Sequence, residues 1–270
     1  MSAFGSQIRV GVIGAGGRMG SAAAEAIRGD SELALVAAID HEWNETGEPP
    51  IRTAGGEIEV FARAQAEVVL EFSNDSAAAF DHGLWCADRG IGVVIGTSGI
   101  TQAMVADLGA AFGAQGMERG CVVVPNFALG AVVLGRLAEI AARFAQTIDI
   151  IDLHHESKID APSGTAMDTA RRIGAARDAA GSHALLPDPT RREEISGSRG
   201  AEVGGVRVHA IRAKGMVAHE EVIFGMEGQT LSIRHDSYGR DSFMPGVLVA
   251  IKAAAATTGV TVGLASVLGL

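Results

Sequence analysis

Aromatic side chains are scarce in this chain, 4% of 270 residues with a single Tyr. It therefore has little material for the stacking platforms that hold single-stranded nucleic acid. Basic residues are in deficit as well: 22 Lys and Arg face 32 Asp and Glu, a formal charge of −10 that disfavours a polyanionic partner. A local basic pocket can still coexist with an acidic surface, so a small anionic substrate stays open. The two cysteines, Cys86 and Cys121, sit in the apolar settings LWCAD and GCVVVP without a spaced partner. They read as buried, reduced thiols rather than as metal ligands or a redox pair. No apolar run reaches the ~18 residues that span a bilayer. The opening MSAFGSQIRVGVIG lacks the basic-then-apolar layout of a secretory signal. Cytoplasmic residence, with neither nucleic acid nor membrane as partner, is the expectation.

Glycine is abundant, at 36 residues, and much of it clusters where strands would meet helices. With 47% hydrophobic and 20% charged residues, the composition is that of a packed protein and not a disordered one. In the first half, Val- and Ile-rich runs at 8–13, 33–39, 68–72, 91–97 and 121–125 are interspersed with helical stretches at 19–28, 76–89 and 102–114. Continuously apolar strands separated by helices predict a doubly wound α/β domain with a parallel sheet. After about Asn126 the pattern changes. A helix over 132–144 leads to a strand over 148–155 and a helix beginning near Ser163. A polar, aperiodic stretch at 187–205 reads as a mobile loop. Three runs, 206–212, 217–226 and 229–237, alternate apolar and polar residues as antiparallel strands with one wet face do. A helix over 243–256 closes the fold.

Residues 10–20 read VGVIGAGGRMG, a buried strand running into Gly14, Ala15, Gly16, Gly17, Arg18 and Met19 and then a helix. Glycine suits a sharp turn where pyrophosphate approaches backbone N–H groups with no Cβ in the way, and the helix start adds a positive dipole end. Such turns are common, but Asp40 ends the second strand 26 residues after Gly14. Its carboxylate is placed there to accept hydrogen bonds from an adenosine ribose. Arg18 can pair with pyrophosphate or stand in solvent. Gly96, Thr97 and Ser98 follow a later strand, as do Val124, Pro125, Asn126 and Phe127. Both segments would lie at the carboxyl edge where open α/β sheets bind ligands, although singly each is an ordinary loop.

The densest chemistry is DLHHESKIDAPSGT at 152–165. Ser163, Gly164 and Thr165 would present N–H and hydroxyl donors at a positive helix end, a seat for a carboxylate. Lys158 can meet an anion or deliver a proton, and His154 and His155 can act as acid or donor near neutral pH. The plainer readings are a surface or core histidine and an ordinary N-cap turn. A zinc site finds no support, because neighbouring histidines on a strand point to opposite faces and no third ligand is evident.

The chain resembles the 4-hydroxy-tetrahydrodipicolinate reductase (dihydrodipicolinate reductase) family of the diaminopimelate route to lysine. The resemblance rests on GAGGRMG at 14–20, GTSG at 96–99, PNFALG at 125–130 and HHESKIDAPSGTA at 154–166. It continues through HEEVIFG at 219–225 and RHDSYGRDSFMPGV at 234–247, in the family's order. It implies a Rossmann-type domain from 1–127 plus 241–270, and a mixed α/β substrate-binding and tetramerisation domain from 128–240. It also implies NAD(P)H-dependent reduction of a small dicarboxylate, 4-hydroxy-tetrahydrodipicolinate, by a homotetramer. By matching motif, NADH or NADPH would be held by the glycine turn, Asp40, Gly96 to Ser98 and Val124 to Phe127. His154 and Lys158 would be the catalytic pair, and His155, Gly164 and Thr165 the substrate binders. Ser98 stands where Thr is common, which keeps the hydroxyl. His41 stands where some members have Arg, which bears on cofactor choice, and the loop after it could move Asp40 aside. The rivals are another Rossmann-type dehydrogenase, with no reason to carry the His-His-x-x-Lys block, and a non-catalytic dinucleotide sensor.

Overall fold

The computed structural model describes residues 7–41, 51–54, 58–114 and 116–270; the chain's opening residues and the loop after His41 lie outside them. By its internal contacts the chain divides into Met1–Phe127 with Phe243–Gly269, and Ala128–Ser242.

The first unit holds one seven-stranded sheet. Its strands are β1 (Ile8–Ile13), β2 (Leu33–Asp40), β3 (Ile51–Ala54), β4 (Val68–Glu71), β5 (Gly92–Ile95), β6 (Cys121–Val123) and the chain's last strand, β12 (Val260–Val262). All pairings are parallel, in the order β12-β6-β5-β4-β1-β2-β3. Every residue of β4 and β5 is buried, as strands covered on both faces require. Helix α1 (Arg18–Gly29) packs with α7 (Met244–Ala256), and α3 (Ser76–Asp88) packs with α4 (Gln102–Phe112). Asp75 fixes the start of α3, its Oδ1 accepting from the Ala77 amide at 2.8 Å. Strands β3 and β12 and the short helix α2 (Glu59–Arg63) escaped the sequence reading. Three to five residues are too few to show a period.

The second unit is a mixed sheet under α5 (Leu129–Ala142) and α6 (Gly164–Ala179). Its strands are β7 (Thr147–His154), β8 (Ala201–Val203), β9 (Val206–Arg212), β10 (Ala218–Met226) and β11 (Gln229–Ser237), ordered β11-β10-β7-β9-β8. Ile148, Ile150, Val208, Val222 and Phe224 build its core with Leu134, Ala138 and Ile173. Two expectations need correction. Strand β9 is not antiparallel to its central neighbour: it runs parallel to β7, because α6 crosses over between them. Nor is 187–205 loop throughout. Its end forms β8, joined to β9 by a two-residue turn, Gly204-Gly205, whose positive φ values of +58° and +78° suit a tight hairpin. Asp188 ties the rest to Arg199 at 3.0 Å and Arg207 at 3.6 Å.

Candidate active site and dinucleotide cavity

From β1 the chain runs outward through β2 and β3, then returns to β4 on the other side. Ligands of open α/β sheets bind at such a reversal. A cavity of about 830 Å³ lies there, lined by Gly14, Gly16, Gly17, Arg18, Met19, Asp40, His41, Gly96, Thr97 and Ser98 of the sequence-predicted set. Gly14 has φ of +72°, and a Cβ on it would come within 2.6 Å of the Phe72 carbonyl oxygen. No other residue suits that step. A side chain at Gly96 would strike the rings of Phe72 and Phe127, which pack edge to face 5.5 Å apart. The turn is braced from below: Gly14 and Ala15 amides donate to the Ile39 carbonyl at 3.0 and 3.1 Å. Helix α1 has no side-chain cap and no acidic residue in its first turn, so its positive end is open to an anion. Glycine turn, uncapped helix and cavity size together fit a nicotinamide dinucleotide.

Asp40 is buried, with Oδ2 accepting from the Gly16 amide at 2.8 Å and Oδ1 3.5 Å from His41 Nδ1. Its carboxylate thus braces the turn as well as bordering the cavity. Ala15 is buried behind the turn. The segment Val124, Pro125, Asn126 and Phe127 follows β6 and is not among the residues lining this cavity. Val124 continues the sheet, its amide bonded to Ile95 at 2.8 Å, and Phe127 acts from behind by backing Phe72.

In the second unit the His-Lys motif is organised by a residue not singled out from the sequence, Asp152. This carboxylate is buried on β7. Oδ2 accepts from the Ser163 amide at 2.9 Å and from Arg212 Nη2 at 3.0 Å. Oδ1 lies 2.8 Å from His154 Nδ1, a close but bent contact. Burial alone would raise its pKa, but contacts from His154, Ser163 and Arg212 outweigh it and hold the carboxyl well below the usual range. Arg212 also donates to the Asp160 carbonyl at 2.8 Å, and the Asp160 carboxylate pairs with Lys158 Nζ at 2.7 Å. A single network therefore joins His154, Ser163 and Lys158. His155 is exposed, with Nδ1 2.8 Å from Ser157 Oγ.

Ser163 departs from its expected role. Its amide goes to Asp152 and its buried hydroxyl caps α6 through the Ala166 amide at 3.2 Å, which leaves Gly164 and Thr165 as the accessible members of the turn. Opposite Asp152 on β10 stands buried Glu220. Burial, with the charges of Asp152 and Asp168, pushes its pKa up to about 7 against a hydrogen bond from Thr169. Among the described residues no cluster of His, Cys, Asp or Glu is arranged to hold a metal, and no helix is long and apolar enough to cross a membrane.

Family models described as dihydrodipicolinate reductase N-terminus and C-terminus match residues 8–127 and 130–268. The chain belongs to the dihydrodipicolinate reductase family. It is 43% identical over 263 residues to a 4-hydroxy-tetrahydrodipicolinate reductase of Corynebacterium efficiens, covering 97% of this chain and 99% of the relative. The Streptomyces coelicolor relative of that name is 41% identical over 265 residues, covering 98% and 99%. A dipicolinate-bound dihydrodipicolinate reductase from Paenisporosarcina sp. TG-14 matches with TM-score 0.86 at 32% identity, covering 96% of this chain and 99% of that one. An amine dehydrogenase from Mycobacterium smegmatis shares the fold alone, with TM-score 0.62 at 13% identity and 96% of each chain covered.

Set against this reductase family, the residues that sequence reasoning missed differ in how visible they were. Asp152 lies two residues before His154 and so on the same strand face, a spacing readable in advance. Glu71, buried at the end of β4 with its carboxylate 2.6 Å from Nδ1 of His82, which borders the cavity, is a lone carboxylate closing the apolar run VVLE, also a readable signal. Arg212 and Glu220 come from strands 60 or more residues away, and no local pattern announces them.

Proposed function

We propose that this chain catalyses the NAD(P)H-dependent reduction of 4-hydroxy-tetrahydrodipicolinate to tetrahydrodipicolinate in the diaminopimelate route to lysine. The network linking His154, Asp152, Ser163, Arg212, Asp160 and Lys158 is the observation that carries this reading. It gathers an acid, a cation and a helix start into one place, which suits a substrate with two carboxylates. Gly164 and Thr165 seat a carboxylate at the positive end of α6, with His155 alongside. Lys158 stabilises negative charge that develops on the substrate, and His154 and Lys158 are the groups able to deliver the proton. The bound nicotinamide supplies hydride. Gly14 to Met19, Asp40, His41, Gly96 to Ser98 and Val124 to Phe127 hold the cofactor. NADH serves at least as well as NADPH, and four chains assemble through the second unit's sheet. Cys86 and Cys121 are free and buried, in keeping with a reducing, cytoplasmic setting.

The test is purified protein with NADH or NADPH and the condensation product of pyruvate and aspartate semialdehyde. Substrate-dependent loss of reduced-cofactor absorbance is expected. Cofactor binding without turnover would leave a dinucleotide-binding protein of another function and reject the reaction.

A further inference from the structure

We propose that His82, held in place by buried Glu71, contacts the part of the bound dinucleotide that NADH and NADPH share. This rests on the dinucleotide reading of the cavity. Glu71 ends β4 with no exposed surface. Its Oε2 lies 2.6 Å from His82 Nδ1, and its Oε1 accepts from the Ser73 amide at 2.5 Å. The Thr97 hydroxyl, donating to the Ser73 carbonyl at 2.6 Å, stands 3.2 Å from the same oxygen. Burial opposes the charge on Glu71, yet the hydrogen bonds from His82 and Ser73 prevail and its pKa is lowered. An ionised Glu71 requires the proton on His82 Nδ1 whether the ring is neutral or charged. Nε2 is then the working end. The ring lines the cavity with its side chain 25% exposed, and Nε2 has no partner among the described residues. A neutral ring offers Nε2 as acceptor to a ribose hydroxyl; a charged ring offers it as donor to a phosphate oxygen.

Topology says which part of the ligand it meets. Strands β2 and β4 flank β1 on opposite sides, so Asp40 and His82 stand on opposite sides of the glycine turn. With the adenosine ribose at Asp40 and the pyrophosphate over the turn, the portion reaching β4 is the pyrophosphate and the nicotinamide ribose. The 2′-phosphate that distinguishes NADPH lies on the other side. A purely structural His82, present only to neutralise Glu71, would not discriminate among cofactor fragments.

The experiment is calorimetric titration of wild type and His82→Ala with NADH, NADPH, ADP-ribose and AMP. Because His82→Ala strands a buried carboxylate, the pair Glu71→Gln with His82→Ala is measured beside it. Losing one hydrogen bond to a ligand should weaken NADH, NADPH and ADP-ribose about tenfold each, with AMP unchanged. Unchanged Kd for ADP-ribose, or an equal loss for AMP, would overturn the proposal. If neither variant folds, 15N spectra of wild-type histidines decide. His82 Nε2 must shift with ADP-ribose and not with AMP, and an unmoved signal rejects the contact. A wild type that binds no dinucleotide at all would reject the cavity's assignment itself, and this contact with it.

Discussion

Lys158 and Asp160 form an ion pair at 2.7 Å in which the carboxylate is half exposed. Pairs so placed contribute little to stability. Lys158→Met should therefore fold normally and show its effect in chemistry, with turnover falling ~10²–10⁴-fold, as for a positioned acid. NADH affinity should hardly change, since the dinucleotide cavity lies in the other unit. A fall of only a few-fold would remove Lys158 from the mechanism. Cofactor choice turns on two other residues. The 2′-phosphate of NADPH would approach the buried Asp40 carboxylate, and two unit charges ~4 Å apart at an effective dielectric of ~20 repel by about 4 kcal/mol before relaxation. Among the described residues, His41 neighbours Asp40, exposed and 3.5 Å from it. NADH should therefore match or exceed NADPH in kcat/KM, and a strong NADPH preference would contradict the assignment.

At the scale of elements, β7 does the arranging: residues two apart on one face place Asp152 beside His154, and β10 sets Glu220 directly opposite Asp152. Glu220, raised to about 7, has a pH signature with a definite sign. Between its unfolded pKa and about 7 the folded protein keeps a proton that the unfolded chain has lost, so stability declines as pH rises through that window. The accumulated cost above it is on the order of 3 kcal/mol. Glu220→Gln should raise Tm at pH 8 and flatten its dependence between pH 5 and 8. An unchanged Tm profile would show that Glu220 does not titrate there. The same elements show what a sequence can disclose. The β1–turn–α1 unit and the His154-to-Thr165 block were legible because each is a continuous segment whose chemistry needs its neighbours in sequence. Strand β9 was legible as a strand but not as a parallel one, since alternation is the same for either direction. The link from Asp152 to Arg212 spans 60 residues and exists only after β7 and β9 pair.

For the whole molecule, the question is what meets the second sheet's other face. Helices α5 and α6 cover the side built from Ile148, Ile150, Val208, Val222 and Phe224. The opposite side alternates out of that core and carries His209 paired with Asp149 at 2.8 Å, Arg234 with Glu221 at 3.2 Å, and Ile211, which is 42% exposed. Antiparallel sheets tolerate one wet face, but edge strands and exposed isoleucine together favour association with like surfaces. A closed, symmetric assembly removes both liabilities, and in such an assembly each chain offers the same patch. A homotetramer is the expectation, with light scattering giving four times 27.7 kDa at micromolar concentration. Ile211→Asp places a charge in that patch and should shift the population toward smaller species. The dinucleotide cavity belongs to the other unit, so the variant should still bind NADH with unchanged Kd. A wild-type monomer would contradict the assembly, and a variant that stays tetrameric would place the interface elsewhere.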